Sequence, residues 1–423
     1  MSYRRFFRST HLSFVVLALL GRLPYAIVPL GTILLLQASS GSYTFAGLAA
    51  GAQSLAIAAG GLVLGTAARW IRPRRIGFWA AVANAAAIVL LLVASRAGGP
   101  ATVVAAAVLV GVTQPQVGPL VRVHWSGWFR GADPRLARTA MSYEGAADEA
   151  SFVLGPALVG ALLLVPTAAL GVAQGGPLVG AAVLLVAAAA PLARRYTDLP
   201  SHEEPASGSG QRTAAAVHWP SLGTLTVAMV SVGAIFGAVQ TGATAYAAAA
   251  GAPQLAGLYF AELGVGSALA GAACAWLPDR LGLALRRWIF PLALTAGMGL
   301  LLWGAAQHLL PVAIAIAGLT VGPYMVTLYA LTEDQTPLPA MATAMAVLCA
   351  GGPVGTAAGQ FAAGLLADAH GPTAAFAIAP VVAATGLAAS LLNALARARI
   401  DSSGGPRTDR TGITTRPDAD EER

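Results

Sequence analysis

The sequence predicts an all-α integral membrane protein in which twelve transmembrane helices form two six-helix bundles related by a parallel pseudo-repeat. Three observations point there. The 423 residues are 57% hydrophobic and only 10% charged, more apolar surface than a water-soluble globule could hide behind so little polar surface. Apolar runs rich in Ala, Gly and Leu recur between short loops, most of them close to the ~20 residues a helix needs to cross about 30 Å of hydrocarbon. All 25 basic side chains are arginine, and 23 of them fall on one side of that pattern.

The first run, from about His11, is longer than the roughly 7–15 apolar residues of a signal peptide, so it is kept as a span. The first-half spans are Leu12–Leu36, Tyr43–Ala68, Ile76–Ala94, Ala101–Val121, Ala140–Val165 and Pro177–Leu192. The second-half spans are Leu222–Ala245, Gln254–Leu277, Trp288–Ala306, Pro311–Leu331, Met341–Ala367 and Thr373–Leu395. Arginines precede the first span (Arg4, Arg5, Arg8) and follow the second, fourth, sixth, eighth and twelfth, whereas the opposite loops hold Arg96. Because positively charged loops stay in the cytoplasm, both termini are expected there. The net charge of +7 therefore reads as orientation, and no nucleic-acid partner is expected. Residues 194–218, rich in Pro, Ser and Gly, read as a cytoplasmic linker between bundles 12–193 and 219–396. Residues 1–11 and the polar tail 397–423 lie outside them, and the tail is expected to be disordered.

The halves echo one another. Ala46-Gly47-Leu48 recurs as Ala256-Gly257-Leu258 at an offset of 210, and Thr139-Ala140-Met141 as Thr343-Ala344-Met345 at 204, with Gly155 and Gly160 matching Gly359 and Gly364. Gly111 and Thr113 match Gly318 and Thr320 at 207. Three echoes in chain order argue for a duplicated unit.

Two motifs stand on this frame. After span eight the chain reads Asp279-Arg280-Leu281-Gly282 followed by Arg286-Arg287, and after span two Gly65-Thr-Ala-Ala-Arg69-Trp-Ile-Arg-Pro-Arg74-Arg75. Span five carries Ser142, Ser151, Gly155, Pro156 and Gly160, small residues whose spacing lets two helix backbones approach, with a proline that permits a kink. With six plus six helices, these motifs make the chain resemble the major facilitator superfamily over essentially all of residues 12–395. The loop motif corresponds to that family's G-x-x-x-D-R-x-G-x-R-R, with Arg69 where the family has aspartate, and the span-five pattern to the one associated with its exporters. The resemblance implies a secondary transporter in a cell membrane, bacterial and inner from the lysine-free composition. It also implies a small-molecule substrate, a proton as coupling ion, a monomer, and gating roles for Asp279, Arg280, Gly282, Gly155 and Pro156. The family's arginine within span four has no expected counterpart, since Arg122 lies at that helix's cytoplasmic end.

A charge at the centre of a membrane helix costs roughly 2.5–3.5 kcal/mol on insertion scales, so such residues face a cavity or a partner. Arg22 lies between Gly21 and the prolines Pro24 and Pro29. Span five carries Glu144, Asp148 and Glu149, of which the first two share a face and Glu144 is nearest the cytoplasm, and span eight carries Glu262. These five are the candidates for proton or substrate binding; the alternative is a static ion pair that fixes helix packing. The histidines, His124 among them, all read as lying in or near loops. Gln53, Gln114, Gln116, Gln240, Tyr143, Tyr246, Tyr324 and Asn84 are uncharged cavity candidates.

Cys274 and Cys349 fall in apolar stretches without C-x-x-C or Cys/His spacing, so no disulfide, metal or cofactor is expected. The chain holds no H-E-x-x-H, G-x-S-x-G or Walker loop, which argues against an enzyme. The leading expectation is a proton-coupled exporter of small amphipathic compounds. A symporter importing an anionic metabolite against Arg22, and a non-transporting scaffold or receptor, are the alternatives.

Overall fold

In hydrocarbon every backbone N–H and C=O must be satisfied within the protein, and a helix does this inside one segment. The computed structural model, which describes residues 10–67, 70–128, 134–165, 167, 174–195, 218–278, 280–402, 407–408 and 414–415, is accordingly helical across the apolar runs. The first half comprises α1 (Leu12–Ser40), α2 (Tyr43–Ala67), α3 (Pro73–Ala97), α4 (Pro100–Val112), α5 (Val117–Trp128), α6 (Pro134–Leu162), α7 (Gly176–Leu184) and α8 (Ala190–Arg194). The second comprises α9 (Trp219–Ala249), α10 (Leu255–Ala273), α11 (Leu283–Ala306), α12 (Leu310–Gln335), α13 (Met341–His370) and α14 (Ile378–Ser402). Ten helical stretches among the described residues are long and apolar enough to cross a membrane. The charged α6, of 29 residues, and the Ala/Gly-rich α13, of 30, fall within the length range of these stretches. Arg407–Thr408 in the tail pair antiparallel with Thr414–Thr415.

The fourth and sixth spans are not regular helices. The fourth breaks at residues 113–116, Thr-Gln-Pro-Gln, because Pro115 has no N–H to donate and drives the residue before it out of the α region. Asn84 of α3 caps the break, donating from Nδ2 to the Val110 carbonyl at 2.7 Å, one of the acceptors a helix end leaves without a partner. In the sixth span a π turn, Leu185–Ala189, joins α7 to α8. Ala189 packs against Gly21 of α1, where an added Cβ would come within 3.3 Å of the Ala189 Cα.

The repeat seen in the sequence is the geometry of the contacts. Gly155 of α6 faces Ala26 of α1, and its counterpart Gly359 of α13 faces Ala234 of α9. Gly160 abuts Gln254 at the start of α10, and its counterpart Gly364 abuts Tyr43 at the start of α2. Gly47 lies on the Gln360 backbone of α13, and Gly257 on the Pro156 backbone of α6. The halves therefore meet along two matching seams, α2 with α13 and α6 with α10. Both seams are tight at the end of the bundle away from the arginine-bearing loops. Toward the arginine-rich end Glu149 and Cys349 are exposed, on the helix faces that carry the seam residues further up. Exposed Trp70, Trp79, Trp219, Trp276 and Trp288 ring the arginine-rich end, the placement of side chains with an apolar body and a polar N–H at a membrane interface.

Candidate functional site

Four of the five charged candidates lie on α1 and α6, but they divide differently from their sequence order. Glu144, expected nearest the surface, is fully buried and forms an ion pair with Arg22, itself 4% exposed. The Trp125 indole N–H donates to the other Glu144 oxygen at 2.7 Å. Arg22 reaches Asp148 as well, Nε to Oδ1 at 3.1 Å, and Asp148 pairs in turn with Arg122. The result is a chain Trp125–Glu144–Arg22–Asp148–Arg122 in which two cations face two anions. Arg22 and Glu144, both buried, persist as charges only when so paired, and removing one leaves its partner uncompensated.

The break in the fourth span explains why Arg122 is present. Expected at a helix end outside the site, it lies within α5, on the turn after the break, and is directed at Asp148. The Asp148 carboxylate also lies over Gly118 in the first turn of α5, where an added Cβ would sit 3.1 Å from Oδ1; a helix N-terminus favours an anion there. His124, expected near a loop, is inside α5, 5% exposed and stacked on Phe14 with ring centroids 4.4 Å apart. A cavity of about 190 Å³ adjoins the break and the charged chain, lined by Arg22, Tyr25, Gln116, Asp148 and Ser151 among others. A larger depression of about 400 Å³ lies at the arginine-rich end between Thr10 and Arg195. Its described lining holds no carboxylate, and the smaller cavity is the one that meets the paired charges.

Glu149 stands apart from this chain. It lies about 100° around α6 from Asp148, on the side of Val153 and Pro156, which touch α10 of the other half. It is exposed, and it has no ion pair among the described residues. The Cys349 thiol of α13 lies 4.0 Å from the Tyr329 hydroxyl. Tyr329 and Cys349 thus lie together in the second half, with Cys349 exposed as Glu149 is. Glu262 of α10 is separate from this group, half-buried, with Oε2 enclosed and without a hydrogen-bond partner.

Above Glu149 an uncharged belt crosses both halves. Gln360 of α13 donates to Gln240 Oε1 of α9 at 2.8 Å, and Ser54 of α2 donates to Gln360 Oε1 at 3.2 Å. Thr32 of α1 donates to Gln53 at 2.8 Å, while the Gln53 Nε2 is buried without a partner. Gln114, in the break, is 1% exposed with an unpartnered Oε1. Other cavity candidates are packing residues. Tyr324 is fully buried and bonds Gly386 and Ser390 of α14 within the second half. Tyr246 meets Tyr259 edge to face and approaches His308 at 3.5 Å, and Tyr143 packs half-buried on the apolar core. Gly155 and Pro156 sit on the seams. Gly282 is the N-cap of α11 and Arg280 is exposed in the turn before it, whereas Asp279 lies outside the described residues.

No family model matches the chain, and no curated protein sequence does. Solved structures do match. The nucleoside transporter NupG aligns with a TM-score of 0.68 at 14% identity over 90% of this chain and 98% of its own. A bacterial homologue of the human lysosomal transporter Spinster, solved inward-facing and unoccupied, aligns at 0.66 and 13% over 91% and 95%. The POT family transporter PepTSo aligns at 0.65 and 15% over 92% and 98%. At such identities the likeness is one of fold, and the fold is that of major facilitator transporters.

Proposed function

We propose that the chain is a secondary transporter that exports small amphipathic compounds in exchange for protons, its halves rocking about the interface between them. The observation that carries this reading is Glu149. Of the three acids on α6, two are held by arginines, and the third is exposed between the halves without an ion pair. A carboxylate in that position can take a proton from one side and release it when cargo arrives. The cavity beside Arg22 and Asp148 and the uncharged belt above it supply the polar contacts for cargo. The positive-inside rule makes the arginine-rich end cytoplasmic, so the state described is open to the cytoplasm, where an exporter loads. The Gly155-Pro156-Gly160 pattern lies on the seams, where an exporter motif would act on the motion.

The reading is tested with purified protein in proteoliposomes holding a pH-sensitive dye. Compounds that raise the melting temperature of the protein should drive proton movement, and Glu149→Gln should abolish that movement while the compounds still bind. Unaltered proton movement in the variant removes Glu149 from the mechanism. Import of an organic anion against Arg22 has less support, because Glu144 and Asp148 already neutralise that guanidinium.

A further inference from the structure

The two seams match in their glycines but not in how they end. At the start of α2, Ser42 caps its own helix, its Oγ accepting from the Phe45 N–H at 3.2 Å. The next donors toward the terminus are satisfied from the other half of the protein. Asp368, in the last turn of α13, accepts from the Tyr43 N–H through Oδ1 at 2.9 Å and from the Thr44 N–H through Oδ2 at 2.8 Å. The Ser42 hydroxyl donates to the same Oδ2 at 2.7 Å. With Ala46 N–H bonded to the Ser42 carbonyl, every amide of that first turn has a partner, two of them across the interface. The carboxylate also meets the positive end of a 25-residue helix, where a negative charge is stabilised.

Among the described residues the second seam has no such device. Its helix α10 starts at Leu255 with no side-chain cap on Gln254, and the repeat offset of 204 places Leu164 where the first seam has Asp368. Leu164 is 79% exposed and has no group that could accept from an amide. The carboxylate is therefore present at one of the two equivalent positions and not at the other.

We propose that Asp368 is a latch, a helix cap lent by one half to the other, that weights the protein toward the state closed at the arginine-poor end. Opening that end draws α13 away from α2 and leaves the Tyr43 and Thr44 amides to water, so the latch acts on one state and not on the other. This rests on the rocking motion of the proposed function.

Pulsed EPR distances test it in the full chain with Cys274 and Cys349 replaced by serine. One spin-label pair, Gly99→Cys with Gln307→Cys, reports the arginine-poor end, where both positions are exposed turns. A second pair, Gly65→Cys with Trp276→Cys, reports the other end. Asp368→Ala should raise the population with the long Gly99–Gln307 distance by roughly two- to tenfold, the range for a charge and its hydrogen bonds at an exposed helix terminus. Asp368→Asn, which keeps one acceptor and loses the charge, should fall between Ala and the native residue, and Ser42→Ala should give a smaller shift; these milder variants serve if the alanine variant folds poorly. Two populations whose ratio does not change in any variant would overturn the latch and leave the rocking motion standing. A single distance at both ends in every variant would overturn both.

Discussion

At the scale of single residues, the site is governed by which charges have partners. Glu144 is fully enclosed, and its neutraliser is one guanidinium. Arg22→Ala should therefore cost about 3–5 kcal/mol of stability, the range for a buried pair broken from one side, read as a lower melting temperature in detergent. Adding Glu144→Gln to that variant should recover most of the loss, since the stranded charge is then gone. A double variant no more stable than the single one would mean that the pair does not act as a unit. Glu149 makes the opposite case. It can change protonation without stranding a partner, so Glu149→Gln should leave the melting temperature close to that of the native protein while removing the proton response.

At the scale of elements, the break between α4 and α5 determines what the site contains. It turns α5 so that Arg122 and Trp125 reach the acids of α6, and it depends on Asn84 to satisfy the Val110 carbonyl. Asn84→Leu, similar in size but without a donor, should lower stability by about 1–3 kcal/mol, the range for a buried polar group left unpaired, and circular dichroism melts of the purified variant check it. A loss within a few tenths of that of a neutral surface change would mean that the break is held by something else. This element also marks the limit of what the sequence conveys. The helical spans, the repeat and the acids of α6 are legible because hydrophobic length, echoed glycines and intramembrane charge each write a local signal. Gly47 with Gly257, and Gly155 with Gly359, fall at equivalent contacts as the echo implies. The parts that were not legible depend on tertiary placement. Pro115 is visible in the sequence, but the direction in which α5 continues after it is not, so Arg122 reads as a helix end and His124 as near a loop. Gln360 carries no pattern beyond a lone polar group in an apolar run, and it acquires meaning only from Ser54 and Gln240, which are distant in sequence. Tyr324 shows the reverse error: a polar side chain that suits a cavity is spent on α14.

At the scale of the whole molecule, the seams are closed at one end, and Glu149 and Cys349 are exposed toward the other. Cys349 should therefore react with a membrane-impermeant thiol reagent applied from the arginine-rich side and resist the same reagent from the other side. Inside-out and right-side-out vesicles distinguish the two, and equal labelling from both sides would contradict the described state. Gly47→Leu, whose side chain would meet the Gln360 backbone, should reverse that preference by holding the first seam apart. The charge chain of the first half has a further consequence. Arg22 and Arg122 cancel Glu144 and Asp148, so that cluster can swing through the electric field of an energised membrane without moving net charge. The voltage does work only on a charge that is carried across it, which under the proposed exchange is the proton on Glu149 and whatever charge the cargo brings. For an uncharged cargo, current through the protein would then count protons, and a cargo with a single positive charge exchanged for one proton would pass without any current at all.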